Sequence, residues 1–353
     1  MMVPMFVAVA AAAANAAAGN MTVAAYLPEW RYEGANWADI SKVVTHLILF
    51  SLEVQPTGRL SAHDRLPRSE LLSEARLATR AAGTKLLVCI GGNGRSAGFS
   101  AAVAKKERRA NFVKGLMALL DVYELDGVDL NWEYPGYSFG SGYASDEAVR
   151  RDYAGLAKLV KALHTAFEPS GRVLTLAYYP DGKQERLLLE HGMTKHVHFM
   201  HMMSYDQPGE HSTLEFAQRV GAQGAGILPA GLLTLGVPFY GRHTRTGDWK
   251  SYEDLVQAHA AVMRGGGADE AAGYYFNGRQ TIASKVRLAR ELGLGGVMIW
   301  EVGQDCRVNA VTHGDKTHGV TCPEGADSSL LVALGREAQV TADAHEAGVR
   351  DEL

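Results

Sequence analysis

The chain has 353 residues, 47% of them hydrophobic, and a formal net charge of −4. That is enough apolar material for one large core, and it excludes a chain that is disordered throughout. The near-balanced charge offers no basic surface for nucleic acid or an anionic membrane, and the body holds no run of ~20 apolar residues that could span a bilayer.

Residues 1–18 are apolar and Ala-rich and read as a secretory signal peptide, with small residues around a cleavage point near Ala16–Gly19. The stretch lacks an opening Lys or Arg, so initiation at Met21 is the alternative. Short apolar runs then recur at 23–27, 44–52, 86–90, 128–132, 173–178, 197–203, 232–239 and 296–300, each a strand candidate. Between them lie helical patterns. Residues 69–82 and 111–123 have one, Tyr153, Leu156, Leu159, Val160, Leu163 and Phe167 form another, and Ile282, Val286, Ala289 and Leu292 a fourth. Eight strands alternating with helices predict an α/β fold, a single (β/α)8 TIM barrel over residues 22–305. No Gly-x-Gly-x-x-Gly opens a helix after the first strand, which speaks against a dinucleotide fold. The stretch from about 243 to 280, between strands 7 and 8, exceeds an ordinary crossover and predicts a small insertion with a helix at 251–263. Residues 306–353 form a C-terminal tail, with a helix expected at 328–337. Within it Cys306 and Cys322 bracket a polar loop, and a disulfide there would contribute about 3 kcal/mol in the chain-entropy account. Cys89, in an apolar run, reads as a buried thiol. The chain ends Arg350-Asp351-Glu352-Leu353, similar to a Lys-Asp-Glu-Leu return signal for the endoplasmic reticulum, so the lumen of that compartment or secretion is expected.

The fourth run carries the chemistry. In Asp126-Gly127-Val128-Asp129-Leu130-Asn131-Trp132-Glu133, strand alternation sends Asp129, Asn131 and Glu133 to one face and Val128, Leu130 and Trp132 to the other. Lining up acids on a buried strand costs desolvation and like-charge repulsion, a cost accepted mostly where the carboxyls are needed. Pro135 ends the ladder and leaves Glu133 at the strand's C-terminal end. A solvated edge strand or a calcium loop are the competing explanations, but the flanking apolar residues favour burial and a calcium loop needs a Gly-turned backbone. In a barrel, function gathers at the C-terminal strand ends. Those ends hold residues 26–30, Phe50 and Ser51, Gly91, Gly92 and Asn93, Tyr178 and Tyr179, Tyr205 and Asp206, Tyr240 and Arg242, and Trp300 and Glu301. The aromatic-rich loop 134–143 should lie beside Glu133. Acids ringed by aromatics suit a sugar site. No Cys/His spacing suggests a metal, and no cofactor is expected.

Asp126–Glu133 resembles the Asp-x-x-Asp-x-Asp-x-Glu signature of family 18 glycoside hydrolases, the chitinases and their relatives. Ala25-Tyr26 with Trp30, Cys89-Ile90-Gly91-Gly92, Met203-Ser204-Tyr205-Asp206, residues 236–242 and residues 295–301 resemble further motifs of that family, in order. The resemblance implies substrate-assisted retaining hydrolysis of β-1,4-linked N-acetylglucosamine. Glu133 would be general acid and then base, Tyr205 would hydrogen-bond the substrate acetamido group, Asp129 would support the acids, and Trp300 would floor the cleavage subsite. Tyr26, Phe50, Gly92, Met203, Asp206, Tyr240 and Arg242 would shape the pocket. The departure is Asn131, where the family has Asp. An amide still accepts a hydrogen bond but loses the charge that offsets an oxazolinium, and Glu133 loses a negative neighbour that would help keep it protonated. Slower turnover and a more acidic optimum follow. Related endo-β-N-acetylglucosaminidases work with Asn at this place, while lectin-like relatives lose the acid itself. The expected partners are therefore chitin, chito-oligosaccharides or another N-acetylglucosamine-containing glycan, handled by a monomer. The alternatives are a catalytically weak binding protein and an enzyme acting on N-glycan cores.

Overall fold

A computed structural model describes residues 21–339. The expected signal peptide and the Arg350–Leu353 tail lie outside the described residues. Eight strands form a closed parallel barrel: β1 Thr22–Pro28, β2 His46–Val54, β3 Lys85–Gly91, β4 Gly127–Asn131, β5 Val173–Tyr178, β6 Phe199–Met202, β7 Leu233–Pro238 and β8 Gly296–Trp300. Each pairs with its sequence neighbour, and β1 closes the ring against β8 in the register Thr22↔Gly296. All eight apolar runs of the sequence are strands. Between them run α1 Trp37–Ser41, α2 Ser69–Ala82, α3 Lys106–Val122, α4 Asp146–Phe167, α5 Lys183–Glu190, α6 Leu214–Ile227 and α7 Arg279–Glu291, a further short helix Phe99–Ala104 precedes α3, and α8 Leu330–Ala338 follows β8.

Strand alternation divides the core into two shells. Val23, Ala25 and Leu27 of β1, Val128 and Leu130 of β4, and Val297 and Ile299 of β8 face the helices. Ala24, Tyr26, Ile48, Phe50, Leu87, Cys89 and Met298 fill the barrel interior. The α4 stripe read from sequence, Tyr153 to Phe167, is buried against the outer shell. Ser145 caps that helix by accepting from the Ala148 N–H, and Asp146 and Glu147 complement its positive end.

Two expectations need correction, and α6 is absent from the sequence reading. The single helix expected at 251–263 is two, Tyr252–Ala258 and Ala260–Met263, because His259 leaves helical geometry at φ −131°, ψ 33°. Glu133 is not a strand residue: β4 ends at Asn131, and the Glu133 backbone N–H is taken by Ser96 Oγ at 3.1 Å instead of by a neighbouring strand. Finally, α6 escaped notice because its glycines hide its propensity. They allow close packing, since a Cβ on Gly221 would sit 2.8 Å from Leu292 Cδ1 and one on Gly224 2.8 Å from Met202 Cε.

Between β7 and α7 the chain builds a small antiparallel sheet from Tyr240–His243, Trp249–Ser251, Glu270–Ala271 and Tyr274–Tyr275. Beyond β8, Cys306 and Cys322 form a disulfide, and Cys89 is a buried free thiol.

Candidate active site

The C-terminal mouth of the barrel opens into a cleft of about 580 Å³. Its floor comes from β8, which ends in Trp300, and from β4, which ends in Asn131 with Glu133 two residues on. Trp300 packs against Phe50 with centroids 4.7 Å apart and against Tyr26 at 5.4 Å, so aromatic neighbours on two strands fix the plane of the indole. Phe50 is held in turn by the turn after β3: a Cβ on Gly92 would lie 2.3 Å from the Phe50 ring, and its φ of +103° favours glycine as well. Gly92 therefore sits behind the wall, and Asn93 rather than Gly92 lines the cleft.

Glu133 stands in the cleft, half-buried. Burial pushes its carboxyl up to about 7. The Asn131 side chain and the Asn93 backbone N–H oppose that rise, and the charge of Asp206 adds to it. The carboxyl is thus partly protonated at neutral pH even without an acidic neighbour at 131, so the sequence-based concern over an easily ionised Glu133 yields to desolvation. Asn131 is 3% exposed, and its Oδ1 has no hydrogen-bond partner. An orphaned acceptor beside the acid is a cost that a bound N–H would relieve. Tyr205, 5% exposed, donates only to the weak acceptor Met298 Sδ, at 3.9 Å. Met203 also lines the cleft.

Asp129 lies deeper and is fully buried. Its Oδ2 accepts from Tyr26 Oη at 2.8 Å and its Oδ1 from Thr175 Oγ1 at 2.7 Å. Burial raises this carboxyl to about 6, with those hydrogen bonds opposing the rise. With both oxygens engaged away from Glu133, Asp129 fixes Tyr26, and through Tyr26 the indole of Trp300. Asp206 is reached from the insertion sheet: Tyr240 Oη donates to its Oδ1 at 2.8 Å and Arg242 NH1 at 3.0 Å. Tyr240 and Arg242 stand behind the cleft wall and hold the Asp206 that lines it.

Sequence reasoning missed Arg95, Asp181 and Gln184, all of which line the cleft. Arg95 grips Glu29 through two bonds of 2.6 and 3.2 Å and packs 5.2 Å from the Phe50 ring. Asp181 accepts from Tyr143 Oη at 2.5 Å and so anchors the loop after β4. That loop, expected beside Glu133, is a hairpin pairing Tyr137–Ser138 with Gly142–Tyr143. Its Tyr134, Tyr137, Phe139 and Tyr143 form a second aromatic bank of the cleft, continued by Tyr179.

A family model for glycosyl hydrolases family 18 matches residues 22–305. The chain belongs to that family. A curated relative, "Probable chitinase 2" of Drosophila melanogaster, is 23% identical over 333 residues, covering 73% of this chain and 65% of its own. This chain thus spans just under two thirds of that relative. Among solved structures, a chitinase from Bacteroides thetaiotaomicron superposes with a TM-score of 0.69 at 21% identity, covering 91% of this chain and 97% of its own. The Group IV chitinase of Ostrinia furnacalis in complex with allosamidin gives 0.63 at 20% identity, covering 81% and 93%. These likenesses are to the barrel fold.

Proposed function

We propose that the protein hydrolyses β-1,4-linked N-acetylglucosamine polymers or oligomers with retention, using the substrate's own acetamido group as nucleophile. The observation that supports this most is Glu133, a carboxyl held near neutral pKa by burial, in a cleft where the buried Oδ1 of Asn131 beside it has no partner. Protonated Glu133 gives its proton to the glycosidic oxygen as the C1–O bond breaks. The acetamido oxygen closes on C1, giving an oxazolinium. Ionised Glu133 then takes a proton from the water that opens that ring. Tyr205 Oη donates to the acetamido carbonyl, Asn131 Oδ1 accepts its N–H, and Trp300 floors the reacting sugar. Asp206, fixed by Tyr240 and Arg242, lines the cleft as well. The Cys306–Cys322 disulfide fits an oxidising compartment, the secretory pathway or outside the cell.

Asn131 favours a second reading, binding of the same glycans with little turnover. Hydrolysis of fluorogenic chitobiose and chitotriose glycosides separates the two. Wild type should cleave, and Glu133→Gln should lose about 10²–10⁴-fold in kcat while still binding. A wild type that binds chito-oligosaccharides and never cleaves them makes the binding reading correct. A wild type that neither binds nor cleaves them moves the substrate to the N-glycan core.

A further inference from the structure

Behind the cleft wall lies a buried polar cluster that the proposed chemistry does not use. Lys285 on α7 is 0% exposed. Its amine donates to Ser212 O at 2.7 Å, to Ser212 Oγ at 3.0 Å and to Asn277 Oδ1 at 2.7 Å. Asn277 Nδ2 donates to the same Ser212 carbonyl at 2.9 Å, and Ser212 Oγ donates to Asn277 Oδ1 at 2.8 Å. A lysine amine carries three N–H bonds only while it is protonated, so the charged form alone makes all three contacts. Yet its partners are neutral. No carboxylate pairs with it among the described residues, and Asp269 and Glu215 act on it only from farther away. Burial without a counter-charge lowers the amine to about 7. An apolar side chain would fill this space at less cost, so the cation is better explained by what it holds.

It holds the far end of the segment that follows β6 and carries Met203, Tyr205 and Asp206 into the cleft. The Gln207 N–H donates to the His211 carbonyl at 3.2 Å and closes the turn that leads to Ser212. The His211 ring, 1% exposed, packs 4.9 Å from Tyr240, with its Nδ1 3.8 Å from Asp206 Oδ1. Asp206 itself has a left-handed backbone, φ +66°, which a non-glycine residue keeps only where its surroundings fix it. Tyr240 and Arg242 fix its carboxylate, while the turn anchored at Ser212 fixes its backbone.

We propose that Lys285 is a positioning residue for Asp206: by clamping Ser212, its ammonium fixes the turn 207–211 and so holds the Asp206 carboxylate at its place in the cleft. The catalytic consequence rests on the proposed function, whereas the clamp itself is measurable without substrate. The clamp should loosen as pH rises through about 7, where the amine gives up a proton and one of its three contacts. Asp269, from the segment before α7, and Glu215, from α6, oppose that loss. His211, which burial lowers to about 4, is neutral there.

The first test is hydrogen exchange of residues 203–213 in the full chain, corrected for the intrinsic dependence on pH. Lys285→Met keeps an unbranched side chain and removes the ammonium. At about pH 6 it should speed exchange in that segment at least about tenfold and leave the barrel strands unchanged. In wild type the protection of the segment should fall between about pH 6 and about pH 8. Unchanged exchange in the folded variant overturns the clamp, whatever the protein hydrolyses. The second test is a double-mutant cycle on chitotrioside hydrolysis. Lys285→Met should lower kcat about tenfold with Asp206 present and less than about threefold in the Asp206→Asn background. Equal losses in both backgrounds overturn the link to Asp206 and leave Lys285 a structural residue. If Lys285→Met does not fold, Ser212→Ala removes one of the three acceptors and takes its place in both tests, with at least about threefold expected in each. If wild type does not cleave, the proposed function fails, and the exchange result alone decides the clamp.

Discussion

Replacing Asn131 by Asp probes the charge logic of the site most directly. Asn131 is 3% exposed, and its Oδ1 is unpartnered. In the oxazolinium, positive charge would develop within hydrogen-bonding reach of that atom. A full negative charge ~4 Å away is worth about 4 kcal/mol at an effective dielectric of ~20. Part of this is lost, because an ionised Asp at so buried a position is desolvated in the ground state as well. A net gain of ~1.4–2.8 kcal/mol, or about 10–100-fold in kcat, is the expectation. The substitution also replaces an amide that favours ionised Glu133 with a like charge that disfavours it. General-acid activity requires protonated Glu133, so kcat/KM of wild type should fall as pH rises through about 7. In Asn131→Asp that descending limb should move to higher pH. The assay is the pH profile of fluorogenic chitotrioside hydrolysis, with thermal melts to confirm folding. A folded variant whose kcat is unchanged or lower, with the limb unmoved, refutes the charge argument and means the site works through the amide.

Asp129→Ala should destabilise the fold by about 2–5 kcal/mol, because it strands the buried hydroxyls of Tyr26 and Thr175, and denaturant titration measures it. Arg95→Ala should loosen Trp30 and Phe50 and raise KM more than it lowers kcat. Equal falls in kcat and kcat/KM would make Arg95 part of the chemistry instead. The four raised buried carboxylates by themselves should make stability rise as pH falls from about 7 to about 5. Folding raises Glu133 and Glu301 to about 7 and Asp129 and Asp305 to about 6, so the native state there holds protons the unfolded chain has lost. Folding also lowers His46 and His211 to about 4, His201 to about 3 and Lys285 to about 7, and burial lowers His191, His196 and His198 too, all of which oppose that rise. Once pH passes the carboxylates' unfolded values the histidines dominate and stability should drop, and melting temperatures from pH 4 to pH 7 would trace the turn. Ser at both Cys306 and Cys322 should lower stability by about 3 kcal/mol for the 16-residue separation, measured by denaturant titration.

Much of the barrel was legible because its signal is local. Each strand is a short apolar run, and in β4 alternation alone separates Asp129 and Asn131 from Val128 and Leu130. The stripe of α4 was equally readable. What the sequence hid depends on close approach or on capture by distant chain. Gly221 and Gly224 look like helix breakers in sequence, while in the fold they let α6 settle onto Leu292 and Met202. Glu133 reads as strand by alternation, yet Ser96 captures its backbone from the neighbouring turn. Arg95 carries no motif, and only the folded chain brings it against Glu29, Trp30 and Phe50.

The acids show why position in a motif is a weaker guide than surroundings. Asp129 and Glu133 share one face of the same short stretch, and alternation alone groups them as a catalytic set. Burial then separates them. Asp129 is enclosed by Tyr26 and Thr175, and its carboxyl is spent on fixing the aromatic floor. Glu133 emerges past the strand end into the cleft, where desolvation lifts its carboxyl to about 7. A neighbouring carboxylate is one way to keep a general acid protonated, and enclosure is another. With Asn at 131 this site relies on the second, so opening the wall over Glu133 should cost it the proton that an acid at 131 would have helped to retain. Tyr134→Ala removes the ring that follows Glu133 in that wall. It should move the descending limb of kcat/KM to lower pH, and less so when combined with Asn131→Asp. A limb that stays in place in Tyr134→Ala would mean that enclosure is not what holds the proton.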